Sequence, residues 1–244
     1  GLKENHIQKT KSSYLYREFV DKIYEVTTQR GRKIRITGSH KLLSFEKGVS
    51  WIPAGALKKE NIIAYPRILV YEGEETLSED DAYFLGLYVA EGGGRAISNN
   101  NKEIVNWIIN YISNRFGFNP SVCEDKREKE ICYNIQIRNI MKQLLGDLIK
   151  SKANTKYIPE SVLLGNEKVI KYFLAGYLDG DGYIKKDCSV ELGTRSENLA
   201  QSLSYLLLRL GISCSWAEKT INNKLFYRLF ISGFDRNLLN NLPF

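Results

Sequence analysis

The chain has 244 residues, 43% apolar, 26% charged and 11% aromatic, with 19 glycines and five prolines. That is apolar sequence for one large core or two modest ones, and it excludes a disordered or fibrous chain. The net charge of +7 is uneven: residues 1–70 are net +8, residues 71–82 hold six acids and no base, and residues 83–244 are net +5. A basic surplus split by an acidic strip suggests a polyanionic partner, most often nucleic acid.

In chain order, residues 1–13 carry no readable pattern. Short alternating or β-branched runs at 22–28, 32–37, 42–45, 50–52 and 62–65 predict strands. Turns at Gln29-Arg30-Gly31 and Lys47-Gly48 separate them, giving a small all-β domain over 1–70. Residues 71–82 read as an acidic linker ending in a helix start, where Ser78 and Asp81 resemble a capping box.

Beyond Tyr83 the chain repeats itself. Phe84-Leu-Gly-Leu-Tyr-Val-Ala-Glu-Gly92 matches Leu174-Ala-Gly-Tyr-Leu-Asp-Gly-Asp-Gly182, and three later segments match in the same order at offsets of 94 or 95. The offset is 90 at the glycines, so the first copy lacks five residues just after Gly92. Each copy reads helix, strand, strand, helix, strand, strand, helix, with matched helices at 102–116 and 197–210. The alternation over 133–137 marks a sheet with one wet face. The expected fold class is α+β: an αββαββα tandem repeat with pseudo-twofold symmetry, copies at 83–150 and 171–244, and a connector at 151–170.

Gly86 and Ala90, and likewise Gly176 and Gly180, are four apart on their helices, so the two helices can approach closely. Each helix ends in an acid and a glycine, Glu91-Gly92 and Asp181-Gly182. The glycines are expected as left-handed caps. The acids oppose the helix dipole by about 0.3–1 kcal/mol each, and a repeated cost suggests function. Close crossing would bring both carboxylates together with the backbone carbonyls of Ala90 and Gly180, hard oxygen donors suited to Mg²⁺. Asp179, about 200° around the helix from Asp181, should face away from the partner helix.

These paired nine-residue segments resemble the signature of the LAGLIDADG homing endonucleases in their single-chain, two-copy form. The resemblance implies paired helices over a shared divalent-metal site, two β-saddles in successive major grooves of double-stranded DNA, and hydrolysis of both strands by a monomer. It makes Glu91 and Asp181 the ligands of Mg²⁺, with Mn²⁺ as substitute. By position, the family's polar and basic strand-end residues map to Asn99, Asn100 and Arg138, and to Thr194, Arg195 and Ser232; Arg138 and Arg195 would be the basic catalytic groups. DNA reading falls to Arg95, Asn134, Gln136, Lys185, Lys186, Lys219 and Arg228, since Arg and Lys read guanine and Asn and Gln read adenine. The mixed charge run at 123–130 reads as a solvated hairpin tip. Three departures stand out: glutamate ends the first signature, Ser232 stands where a base is frequent, and Gly92-Gly-Gly-Arg-Ala-Ile97 is a shortened hairpin. They leave open a weak or inactive DNA-binding protein on the same scaffold.

The N-terminal block, with Thr37-Gly-Ser-His40, Trp51-Ile-Pro-Ala and the run over 57–64, resembles an intein splicing domain. There Thr37 and His40 would assist the first acyl shift. The chain as written begins at Gly1 and ends Asn-Leu-Pro-Phe244, without the terminal nucleophile and His-Asn pair, so it is expected not to splice. It would be a fragment of an intein or a free-standing endonuclease that kept an eroded splicing domain.

No apolar run nears the ~20 residues of a membrane span, and no signal-peptide pattern precedes the β block, so a soluble cytoplasmic protein without a membrane partner is expected. Cys123, Cys132, Cys188 and Cys214 lack zinc or redox spacing, and His6 and His40 are too few to complete a zinc site. The cysteines are expected as reduced core residues.

Overall fold

The computed structural model of the chain describes residues 2–3, 6–7, 11, 17–126 and 131–243. Strands β1 (Leu2–Lys3) and β2 (His6–Ile7) pair antiparallel. A hairpin follows, β3 (Ile23–Thr27) with β4 (Lys33–Thr37), then β5 (Lys41–Phe45) paired on its two sides with β6 (Val49–Pro53) and β7 (Ile62–Ile63). The turn Gln29-Arg30-Gly31 closes the first hairpin, with Gly31 at φ +78°.

Helix α1 (Glu79–Glu91) starts where Ser78 Oγ accepts from the Asp81 amide, and three acids fill its first turn, where the dipole favours them. Strands β8 (Gly92–Gly93) and β9 (Ala96–Asn99) follow, then α2 (Lys102–Phe116), β10 (Val122–Lys126) and β11 (Ile131–Gln136). Short helical pieces finish the first repeat, among them α3 (Lys142–Leu145). After α4 (Glu160–Leu163), the second repeat runs α5 (Glu167–Asp181), β12 (Gly182–Ile184), β13 (Val190–Thr194), α6 (Glu197–Arg209), β14 (Ser215–Ile221), β15 (Lys224–Ile231) and α7 (Phe234–Asn237). The sheets are ordered β8-β9-β11-β10 and β12-β13-β15-β14, the same topology twice. The last helix of each repeat is broken into short α and 3-10 turns rather than continuous.

Alternation along the strands decides which face is buried. Ile97, Tyr133 and Ile135 in one sheet, and Leu192, Leu229 and Ile231 in the other, turn toward the helices and join one core with α1 and α5. The opposite faces stay open. The five-residue difference between copies lies in the first hairpin. Gly92 pairs with Ile97 around a turn at Gly94, φ +59°, whereas Gly182 pairs with Leu192 around residues 185–189.

The β block is joined to the second repeat. The Trp216 amide donates to Arg30 O at 2.7 Å, Arg32 donates to Cys214 O at 3.1 Å, and Lys33 pairs with Glu218 at 2.6 Å. A Cβ on Gly31 would stand 2.0 Å from Trp216 O, so only glycine permits this contact. The acidic stretch after Tyr71 lies along the same repeat. Leu164 O accepts from the Glu74 amide, Glu74 O accepts from the Asn166 amide, and Arg209 beneath the Tyr71 ring donates to Leu163 O and Gly165 O.

Two sequence expectations change here. Gly92 and Gly182 are not left-handed caps; their φ values are −72° and −80°. Sterics explain them instead, because a Cβ would sit 2.4 Å from Tyr88 O or Leu178 O. Cys132 and Cys214 are buried, but Cys123 and Cys188 are exposed, so only half of the cysteines are core residues. Of the charge run at 123–130, residues 127–130 lie outside the described residues; Cys123, Glu124, Asp125 and Lys126 are exposed. No helix among the described residues is long and apolar enough to cross a membrane.

Candidate active site

Helices α1 and α5 pack backbone to backbone. A Cβ on Gly86 would lie 2.1 Å from Phe173 O, and one on Gly176 would lie 2.1 Å from Tyr83 O. One on Gly180 would meet the Ala90 Cβ at 2.6 Å and the Glu91 Cγ at 3.3 Å. The glycine spacing thus sets the helix separation, and the separation brings the two terminal acids to one place. Asp179 departs from expectation, because Tyr83 on α1 donates to its Oδ2 at 2.6 Å. Asp179 is three residues on from the contact glycine Gly176, about 60° around the helix, so it flanks the crossing and ties the helix pair together.

Asp181 opens to solvent on the saddle side, yet protein surrounds it on most others, and its carboxyl is pushed up to about 7. Desolvation contributes most, and the charge of Glu91 adds to it. A third charge, missed in the sequence, opposes this shift. Lys156 Nζ donates to Ala90 O at 2.7 Å, close enough to both acids to feel them. Burial lowers the Lys156 pKa while Asp181 and Glu91 hold it up. Its backbone is fixed by α6, since the N-cap Ser196 donates from Oγ to Lys156 O at 2.6 Å. Lys156 belongs to neither repeat signature, which is why pattern matching passes over it; the only local signal is a lysine shortly before Pro159 and α4.

Ala90, Lys156, Tyr177, Asp181, Thr194 and Arg195 line one open cleft. Arg195 Nε is buried without a hydrogen-bond partner, an unspent donor in the cleft that Asp181 and Lys156 also line. The other predicted residues distribute differently. Asn99 is buried and its Oδ1 accepts from the Asn101 amide, and Thr194 Oγ1 accepts from the Ser196 amide, so both shape helix starts. Asn100, next to Asn99 in the chain, is exposed. Arg138 does not join the acids. Gln136 pairs with Ala96 and the Ile137 amide donates to Arg95 O, so antiparallel register carries the end of β11 to the hairpin turn at the far end of the sheet. There Arg138 stacks over Phe118 at 4.6 Å and shares a cleft with Arg95. Ser232 follows β15 at the corresponding far end, since Ile231 pairs with Val190 beside the longer turn.

Asn134 and Gln136 lie on the open face of the first sheet, where Ser98 Oγ donates to Asn134 Oδ1 at 2.5 Å. Lys185, Lys219 and Arg228 lie on or beside the open face of the second, and Lys186 is exposed in its hairpin turn. Lys185 and Arg228 are not free cations, because both engage Glu191 on β13.

The donor chemistry fits a hard divalent cation. Two carboxylates converge, and no cluster of three or more His, Cys, Asp or Glu side chains suited to a metal occurs among the described residues. The set therefore matches an ion that completes its shell with carbonyls, water and substrate oxygens, as Mg²⁺ does. One lone pair of Ala90 O is already engaged by Lys156.

Comparisons with known proteins bear on the fold. Residues 168–238 match the model of the LAGLIDADG-like domain. The homing endonuclease I-DmoI, in a crystal structure with DNA and Mn, superposes with a TM-score of 0.52 at 16% identity, over 68% of this chain and 98% of that one. The chain is 27% identical to part of an A-type ATP synthase protein of Pyrococcus abyssi, over 96% of this chain and 26% of that protein. It is 29% identical to part of the replication factor C small subunit of Methanocaldococcus jannaschii, over 95% of this chain and 13% of that protein. The chain thus spans about a quarter or less of the length of these curated relatives. Residues 168–238 thus match a LAGLIDADG-like domain, and the fold built from the two repeats is similar to that of the homing endonuclease I-DmoI.

Proposed function

We propose that the chain is a site-specific endonuclease of double-stranded DNA, dependent on a divalent metal and acting as a monomer whose two repeats supply both half-sites. The observation that carries this reading is the convergence of Glu91 and Asp181 beneath the glycine-packed helix pair, beside Lys156, with Arg195 lining the same cleft as Asp181. Glu91 and Asp181 would hold Mg²⁺ or Mn²⁺. A bound ion supplies an acidified water and neutralises phosphate charge. Lys156 and the unpartnered Arg195 Nε place positive charge where negative charge grows on the phosphate during hydrolysis. The open sheet faces supply the groove-reading side chains, and the net +8 of residues 1–70 adds a further hold on the DNA backbone. That one segment recurs within an ATP synthase protein and within a replication factor C protein supports an origin as an inserted, intein-like element. Thr37 and the exposed His40, joined in the β4–β5 turn where the His40 amide donates to Thr37 O, would be its splicing remnant, and a reducing cytoplasm its setting.

A second reading, a DNA-binding protein that cuts weakly, is favoured by one observation: β8 is two residues long, so the first saddle offers less surface. Incubating the purified chain with a plasmid library of candidate sites and Mg²⁺ separates the two. Linear product that disappears in Asp181→Asn, with binding kept, supports the nuclease. Retention of DNA with no cutting in Mg²⁺ or Mn²⁺ supports the binding protein.

A further inference from the structure

An acid occupies the middle of the open face of the second sheet. Glu191 pairs across the sheet with Tyr183 and Phe230, on the side away from the core, yet it is only 7% exposed. Arg228 donates from Nε to its Oε1. Lys185 Nζ lies 3.1 Å from its Oε2, near in distance but not aligned as a hydrogen bond, so that oxygen accepts none. Lys185 in turn lies over the Phe230 ring at 4.1 Å.

The fold does not require this carboxylate. In the first repeat the matching strand position is Ala96, and Asn134 takes the place of Arg228. A carboxylate on a DNA-facing surface repels phosphate, so general backbone affinity does not account for it either. What it can accept from is a base-edge donor. In the major groove the cytosine N4 amine is such a donor, and the paired guanine offers O6 and N7 to an arginine. Lys185 pairs with Oε2 by charge without an aligned hydrogen bond, so transfer of its ammonium to a phosphate would uncover that oxygen.

We propose that Glu191 and Arg228 together read one G·C pair in the half-site under the second repeat, Arg228 donating to the guanine and Glu191 accepting from the cytosine amine. This rests on the reading of the open sheets as a DNA interface. It makes Glu191 a specificity-determining residue, with Lys185 as its gate.

The test is selection of sites from a randomised duplex library by the full chain in metal-free buffer, so that cutting plays no part. The wild-type chain is expected to enrich a site with an invariant G·C pair in one half. Glu191→Gln should relax the preference at that pair by about tenfold or more and leave the neighbouring positions unchanged. Equal weakening on all sequences, or an unchanged site, would overturn the proposal and leave Glu191 with a structural role. No enrichment of any sequence by the wild type would overturn the DNA-reading function itself. Changes on the DNA side remove dependence on variant folding. With wild-type protein, 7-deazaguanine at that guanine, or a pyrimidin-2-one in place of the cytosine, should each weaken binding about tenfold; neither change having an effect would also reject the pair.

Discussion

The two repeats share strand order, helix contacts and the position of their terminal acid, and they differ in what their open sheets carry. The first presents amides and small side chains, Ser98, Asn134, Gln136 and Ala96, behind a hairpin five residues shorter. The second presents Lys185, Glu191, Arg228 and Phe230 on longer strands. Close packing constrains the shared part, because neither helix can change its glycines without parting from the other. The open-face residues lie outside the core cluster, so nothing in the core restrains their divergence. Symmetry therefore survives where the carboxylates meet and fades where DNA would be read.

The largest effects should fall on the symmetric part, equally from either side. Glu91→Gln and Asp181→Asn should each lower cleavage at least about a hundredfold while DNA binding persists in a gel-shift assay. A large loss in only one of them would break the equivalence of the halves. Lys156→Met should also cut the rate, by about tenfold or more, and should move the acid limb of the pH–rate profile upward, since Lys156 lowers the Asp181 pKa.

Stability comes next. Gly86→Ala and Gly176→Ala each drive a methyl into the partner backbone and should cost about 1–3 kcal/mol or more, read as falling Tm. The pH dependence has a definite sign. Asp181 titrates near 7 in the folded chain and near 3.8 when unfolded, so the folded state holds the extra proton between these values. Metal-free stability should decline as pH rises from about 4 to 7 and level off above, whereas Mn²⁺ affinity should rise through the same range. Calorimetric melts with and without Mn²⁺ check both trends.

The smallest effects should separate the reading faces. Lys219→Gln, on the open face of the second sheet, should reduce the salt slope of DNA binding by up to about one, while Asn134→Ala should leave it unchanged. Equal slopes for the two would mean that the faces do not differ in how they meet the backbone.

Much of this organisation is legible in the chain because it repeats. Matched small residues four apart, Gly86 and Ala90 against Gly176 and Gly180, predict the close helix pair, and matched acids predict their meeting. What has no repeat partner is hidden: Lys156 sits in a connector 25 residues from Asp181, and Glu191 stands opposite an alanine in the other copy. Conformation at the helix ends is hidden for another reason. Glycine there satisfies two different demands, a positive φ or a lack of space, and composition does not distinguish them; Gly92 and Gly182 answer the second. Arg138 and Ser232 lie away from the acids because strand direction, and hence which strand end neighbours them, depends on register rather than on local pattern.

The most direct measurement is the anomalous scattering of Mn²⁺ in crystals of the chain bound to its selected DNA. Density peaks within bonding distance of carboxylate oxygens from both Glu91 and Asp181, beside the phosphate to be cut, are the predicted result. Peaks that touch only one of these acids, or that lie elsewhere on the molecule, would contradict the account.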